Sequence, residues 1–372
     1  MKIAIVTLPL HTNYGGLLQA FALKTALESM GHEAKVLDRK VKMPLPPCLK
    51  APFIYAKRAL KGVEVLREIR YRKEYPVVSA NTSRFIDKYI DPRMIGGYKE
   101  VREGEYEAII VGSDQVWRPL YFGKIEDAYL AFAKDWDIIR VAYAASFGTD
   151  KLEYEYFQLE ECSRLLEAFD GVSVREDVGV QMCSEWFDCE KAVQVLDPVM
   201  LLDRKVYETM ASSAEPRSAK GKIATYILDQ SQEKRAAVEF MSKTSGFEVC
   251  DLSVKPNDKS IPLAERVVPP VENWLAGFID ADFVITDSFH GCVLSILFHK
   301  RFMAVGNSRR GMSRIQSLLG MFGLDMRLVH GIDPEDDGEY FMSEPDWAAV
   351  DAVLENERAK SLAFLKDSLA KS

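Results

Sequence analysis

The hydrophobic positions recur in a fixed order along the chain. A short run of aliphatic and β-branched residues is followed by a small or polar turn, then by apolar residues spaced three and four apart. Continuous apolar runs mark buried strands and the wider spacing marks helices, so the pattern predicts parallel strands covered by helices. Residues 3–8 form the first predicted strand. Leu17, Leu18, Phe21, Leu23, Ala26 and Leu27 give the next helix its apolar face, Gly31 ends it, and 34–37 is a second strand. That makes one βαβ unit. Strands at 107–111, 141–145, 172–174 and 193–196 extend the same open sheet.

Residues 211–222 have no apolar period and read as a linker. A second series follows, with strands at 223–228, 248–252, 283–286 and 302–305 and helices at 232–245 and 288–298. A last helix is expected at 346–369. The predicted fold class is α/β, with two Rossmann-like domains built on parallel sheets. Their predicted extents are 1–210 and 218–345, with residues 346–372 forming a C-terminal helix that packs back on the first domain.

A chain of 372 residues, 48% hydrophobic, is long enough for two buried cores. The net charge of -8 argues against a nucleic-acid partner. Six cysteines without a C-x-x-C pair read as reduced thiols of a cytoplasmic protein, and no metal site is expected. No apolar run approaches the roughly 18 residues of a spanning helix. One segment departs from the acidic whole: residues 39–74 hold eleven Lys or Arg against three Glu, a local +8 that leaves -16 on the remainder. Phe53, Ile54, Leu60, Val63, Leu66 and Ile69 predict a basic amphipathic helix there, either packed on the first domain or in peripheral contact with a membrane surface.

In an open parallel sheet, ligands sit beyond the carboxyl ends of the strands, so the turns there are the candidates. The first contains Asn13, Tyr14, Gly15 and Gly16, and lacks the G-x-G-x-x-G spacing of a dinucleotide site. The second offers Ser113, Asp114, Gln115 and Trp117, a carboxylate, an amide and an indole suited to a sugar; a capped helix start with Trp117 in the core is the alternative. Ser146 and Phe147 follow the next strand. Arg175 leaves a buried strand, where a charge needs an anion: either a ligand's carboxylate or phosphate, or an ion pair with Glu176 or Asp177. The strongest feature is the strand 283–286 followed by Asp287, Ser288, Phe289, His290 and Gly291, which places His290 in the first turn of a helix, where anions are favoured. Arg309, Arg310 and Arg314 lie downstream as cations that would converge on that anion.

The ordered set Asn13-Tyr14-Gly15, Val111-Gly112-Ser113-Asp114, Ser146-Phe147-Gly148, Ser173-Val174-Arg175-Glu176, Asp197-Pro198 and Asp287-Ser288-Phe289-His290-Gly291 resembles the polysaccharide pyruvyl transferase family over nearly the whole chain. The resemblance implies a GT-B-like arrangement of the two domains and transfer of the enolpyruvyl group of phosphoenolpyruvate to a sugar of a surface polysaccharide or its lipid-linked precursor, with release of phosphate. Phosphoenolpyruvate is then a co-substrate and no cofactor is needed. It further implies that Arg175 and an Arg-x-His turn hold the donor. Here Ser288 stands where that turn has arginine, which makes Arg309, Arg310 or Arg314 the expected substitute. His290 and Asp114 are the expected catalytic pair, Asp114 orienting or deprotonating the acceptor hydroxyl. A nucleotide-sugar glycosyltransferase and a non-catalytic carbohydrate-binding protein of a capsule assembly complex are the alternatives.

Overall fold

Residues buried on both faces dictate the architecture. In a computed structural model describing residues 1–39, 46–47, 50–61, 64–214, 219–307, 311–331 and 338–370, the first sheet has seven strands. These are β1 (Lys2–Val6), β2 (Glu33–Arg39), β3 (Arg93–Ile95), β4 (Ala108–Val111), β5 (Ile139–Ala145), β6 (Gly171–Val174) and β7 (Val193–Gln194). All pair in parallel in the order β3-β2-β1-β4-β5-β6-β7. Every residue of β4 and β6 is buried, as expected where helices cover both faces of a parallel sheet.

The second sheet has β8 (Lys222–Tyr226), β9 (Glu248–Asp251), β10 (Phe283–Thr286), β11 (Arg301–Val305) and β12 (Leu328–Val329). They are again parallel, in the order β12-β11-β10-β8-β9. Both sheets are Rossmann-like. One apolar core runs between the domains, joining Leu17, Leu18 and Phe21 of the helix Tyr14–Ser29 to Trp274 and Phe278 of the helix Val271–Asp280. The helix Trp347–Leu369 lies against β5 and β6 of the first sheet. Its Ser361 Oγ accepts from the Leu196 amide at 3.0 Å, and Arg358 Nε donates to the Met200 carbonyl at 2.8 Å.

The basic segment differs from the single helix expected of it. Among the described residues it forms two helices, Ala51–Leu60 and Arg67–Val78; Val63 and residues 40–45 lie outside the described residues. The reason is electrostatic: its few acids fold back on its arginines. Glu68 pairs with Arg58 at 2.6 Å, while Glu74 holds both Arg70 and Arg266 of the second domain at 2.9 Å. Glu64 pairs with Arg70 and with Lys259 of the second domain. No helix among the described residues is long and apolar enough to cross a membrane.

The seat of the last helix depends on Gly171, where a Cβ would lie 2.1 Å from Ser368 Oγ. Gly171→Ala should therefore destabilise the protein by about 1–3 kcal/mol in urea unfolding, and Ser368→Gly in the same chain should recover part of that loss. Equal costs with and without the second change would show that the helix is not seated there.

Candidate active site

Seven segments bring side chains to one place because both sheets point their carboxyl ends at the space between the domains. The first sheet contributes the turn after β1, the turn after β4, Arg175 after β6 and Asp197 after β7. From the second come the start of the helix Phe289–Leu297, the loop after β9 and Arg314 on the helix Ser313–Met321. All of these except Arg175 and Asp197 line a cavity of about 520 Å³.

Beneath its floor lies a buried ionic cluster. Arg175 has no exposed side-chain surface and splits its guanidinium between two carboxylates, Asp114 Oδ1 and Asp197 Oδ2, each at 2.9 Å. Its Cζ lies 4.4 Å from the centre of the Phe289 ring, so the same group also contacts the second domain. Burial alone would raise both carboxyls. For Asp197 the neighbouring His290 imidazole and Arg175 guanidinium outweigh burial and hold it at about 2. For Asp114 the charges of Arg175, His290 and Arg314 do the same, keeping it below the ordinary carboxylate value. Glu176 behaves oppositely: burial pushes it up, against Arg175 and Arg314. Its Oε1 accepts from Ser146 Oγ at 2.7 Å and from the Phe147 amide at 3.1 Å, while Oε2 has no hydrogen-bond partner.

His290 lies where the domains meet. Ser288 caps its helix, its Oγ accepting from the Gly291 amide at 3.5 Å. The imidazole presses against Gly15 of the first domain, where a Cβ would come within 2.1 Å of Nδ1, so only glycine fits. Nε2 is buried, without a hydrogen-bond partner, and 3.7 Å from Asp197 Oδ2. That separation exceeds a hydrogen bond but gives a proton on Nε2 a counter-charge. Arg314 lines the cavity, buried, with its guanidinium lowered to about 10 by burial and by the charge of Arg175, and it stays charged at neutral pH.

This geometry can be set beside known proteins. The family model of polysaccharide pyruvyl transferase matches residues 13–309. The chain belongs to the polysaccharide pyruvyl transferase family. Family membership makes it a transferase, and the solved structures agree on its fold. Arabidopsis thaliana UGT89C1 complexed with UDP-L-rhamnose aligns over 99% of this chain and 98% of its own at a TM-score of 0.52 and 10% identity. The same protein complexed with UDP gives 0.52 at 11% identity, over 99% and 100%. UDP-GlcNAc 2-epimerase from Neisseria meningitidis bound to UDP-GlcNAc gives 0.47 at 10% identity, over all of both chains. At such identities the likeness to UGT89C1 shows the fold alone, the GT-B arrangement of two Rossmann-like domains about a cleft. No curated protein matches the chain in sequence.

Of the residues singled out in this pyruvyl transferase family member, His290, Asp114, Ser288, Arg314, Asn13, Tyr14, Gly15 and Gln115 line the cavity. Arg309 and Arg310 lie outside the described residues. Several others are corrected. Arg175 does not face the cavity: it is consumed by Asp114 and Asp197, a partnership different from the neighbouring Glu176 or Asp177 considered above, with Glu176 only at 3.7 Å. Trp117 is in the core, stacked on Tyr129 at 5.0 Å with its indole N–H donated to the Ala128 carbonyl. Phe147 packs beside it, and Ser146 is spent on Glu176. Ser113 is buried, its Oγ donating to the Ala144 carbonyl. Gly16 does not line the cavity, and Gly291 serves packing, since a Cβ there would meet Thr286 Oγ1 at 2.2 Å.

The cavity also holds residues that were not singled out. His11 ends the first turn's approach; its Nδ1 accepts from the Thr12 amide at 2.8 Å, which leaves the ring proton on Nε2. Burial lowers its pKa and Asp114 acts against that. Its place after the first strand was the available signal. Lys255 and Asn257 come from the loop after β9, which the carboxyl-end rule also marks.

Two outcomes test the cluster. Arg175→Ala should cost about 3–5 kcal/mol of stability by leaving two buried carboxylates unpaired, and a denaturant midpoint equal to that of the wild type would misassign it. Asp197, depressed from 3.8 to about 2, adds stability that is complete above its unfolded value and is lost as pH falls toward about 2. Asp197→Asn should therefore flatten the acid limb of Tm against pH, and an unchanged limb would place that pairing elsewhere.

Proposed function

We propose that the protein transfers the enolpyruvyl group of phosphoenolpyruvate to two hydroxyls of one sugar, forming a cyclic pyruvate ketal and releasing phosphate. The observation that supports this best is His290, whose Nε2 lacks a hydrogen-bond partner, faces the ionised Asp197 and belongs to a residue on the cavity wall. In this reading the imidazole is the acid and Asp197 is its counter-charge.

In this reading the donor's anionic groups sit near Arg314 and the positive end of the helix Phe289–Leu297. Arg314 thus takes the part of the family arginine replaced by Ser288. His290 gives its proton to the donor's methylene carbon, which becomes the methyl group, and an oxocarbenium-like centre forms at the adjacent carbon. The first sugar hydroxyl adds there and its proton recharges His290. The second hydroxyl then displaces phosphate, which departs with the bonding electrons and takes that hydroxyl's proton. Asp114, with its depressed carboxyl, is a weak base and orients the acceptor. Asn13, Gln115 and Asn257 line the cavity with polar groups suited to the sugar.

Phosphate release from phosphoenolpyruvate with a diol-bearing sugar is the direct test. His290→Asn should lower turnover by about 10²-fold or more with the fold intact. Arg314→Ala should raise the KM for phosphoenolpyruvate by roughly 10- to 100-fold, as loss of a charge-assisted bond to an anion does. Wild-type turnover in the first variant overturns the role of His290. A melting temperature raised by a nucleotide sugar and not by phosphoenolpyruvate would instead favour glycosyl transfer.

A further inference from the structure

The basic insertion is built unlike the rest of the fold. The helix Ala51–Leu60 has no buried residue, and it displays Phe53 at 81% and Leu60 at 90% exposure. Spacing of four and seven residues puts Phe53, Lys57 and Leu60 on one face. On the helix Arg67–Val78, Ile69, Lys73 and Val77 share a face by the same arithmetic, and Leu66 precedes it; Leu66 and Val77 are 48% and 44% exposed. Each helix therefore shows water an apolar stripe with a lysine in it.

The charges of this unit divide into paired and unpaired ones. Arg58 and Arg70 are neutralised by Glu68, Glu64 and Glu74, and the strap to Lys259 and Arg266 ties the unit to the second domain. Lys57, Lys61, Arg72 and Lys73, all exposed, form no ion pair among the described residues. Folding leaves these cations unpaired and those apolar side chains wet, in a segment of +8 on a chain whose remainder is -16.

We propose that these two helices dock the protein on a lipid surface carrying anionic headgroups. Interleaved lysines and large apolar side chains match such a surface on both counts: the cations meet phosphate headgroups and the apolar tips enter the acyl boundary. A second copy is disfavoured, because two faces of the same sign would repel. The strap also sets the position of the cleft. Arg266 Nε donates to the Pro256 carbonyl at 2.9 Å, and Pro256 with its neighbours Lys255 and Asn257 lines the cavity, so a docked insertion holds the cleft rim near the lipid. Docking itself does not rest on the proposed transfer reaction.

Flotation of the full-length protein with phosphatidylcholine vesicles, with and without phosphatidylglycerol, is the test. Binding is expected only to the anionic vesicles and should fall as salt rises. The Lys57→Gln, Lys61→Gln, Lys73→Gln triple variant should partition on the order of 100-fold more weakly, and Phe53→Ser with Leu60→Ser at least about tenfold more weakly. Phosphate release with a water-soluble acceptor should be unchanged in both, which separates failure of docking from failure of the transfer reading. Wild type that stays unbound at low salt overturns the proposal. So does binding that survives both variants, retention on RNA in place of vesicles, or a wild-type dimer that the serine variant makes monomeric.

Discussion

Arg175 carries a full charge where no water reaches it, and much of the site is built around its neutralisation. A guanidinium at the end of a fully buried strand requires carboxylates of good geometry. Asp114 and Asp197 supply them from two other strand ends of the same sheet. These three residues thereby fix the turns after β4, β6 and β7 relative to one another. Phe289 covers the outer side of the guanidinium from the second domain, which extends the constraint across the cleft. The domains meet over a paired charge and not over an apolar seam alone.

The sign of the site follows from that pairing. Asp114 and Asp197 are held ionised and answer Arg175, while Glu176 is pushed by burial toward its neutral form. Arg314 remains as a second cation on the cavity wall, with His290 nearby. The anionic donor proposed above would therefore meet carboxylates that are already committed. The serine at position 288 satisfies an amide of the same helix.

How much of this was legible in the sequence depended on what each residue answers to. The central strands were readable because they are buried on both faces and so are continuously apolar, as in the AIIV of β4. The edge strands β3 and β12 were not, being two or three residues long and partly exposed, while β7 was expected at 193–196 and is the shorter Val193–Gln194. His290 and Asp114 could be marked because strand-end position is a local property. The fate of Arg175 could not: its partners lie 61 and 22 positions away, and spacing alone does not reveal pairing through the fold. Trp117 was ambiguous for the opposite reason, since an indole after a strand suits a sugar or a core equally, and the stack with Tyr129 decided it.

The same long-range dependence governs the histidine. His290 belongs to the second domain, yet its Nδ1 side is fitted against Gly15 and its Nε2 faces Asp197, both of the first. Its environment is thus a function of how the domains sit. At 3.7 Å the imidazole and Asp197 are outside hydrogen-bond range, and an approach of roughly 0.5–1 Å would bring them within it. Tyr14 works at the same boundary, stacked on Trp274 at 4.7 Å with its hydroxyl on the Pro269 carbonyl. Gly148 and Gly311 come together there as well, a Cβ on Gly311 lying 2.3 Å from the Gly148 oxygen. Contacts this close leave the domains little freedom to slide, so the surroundings of His290 are set by the packing of one domain on the other.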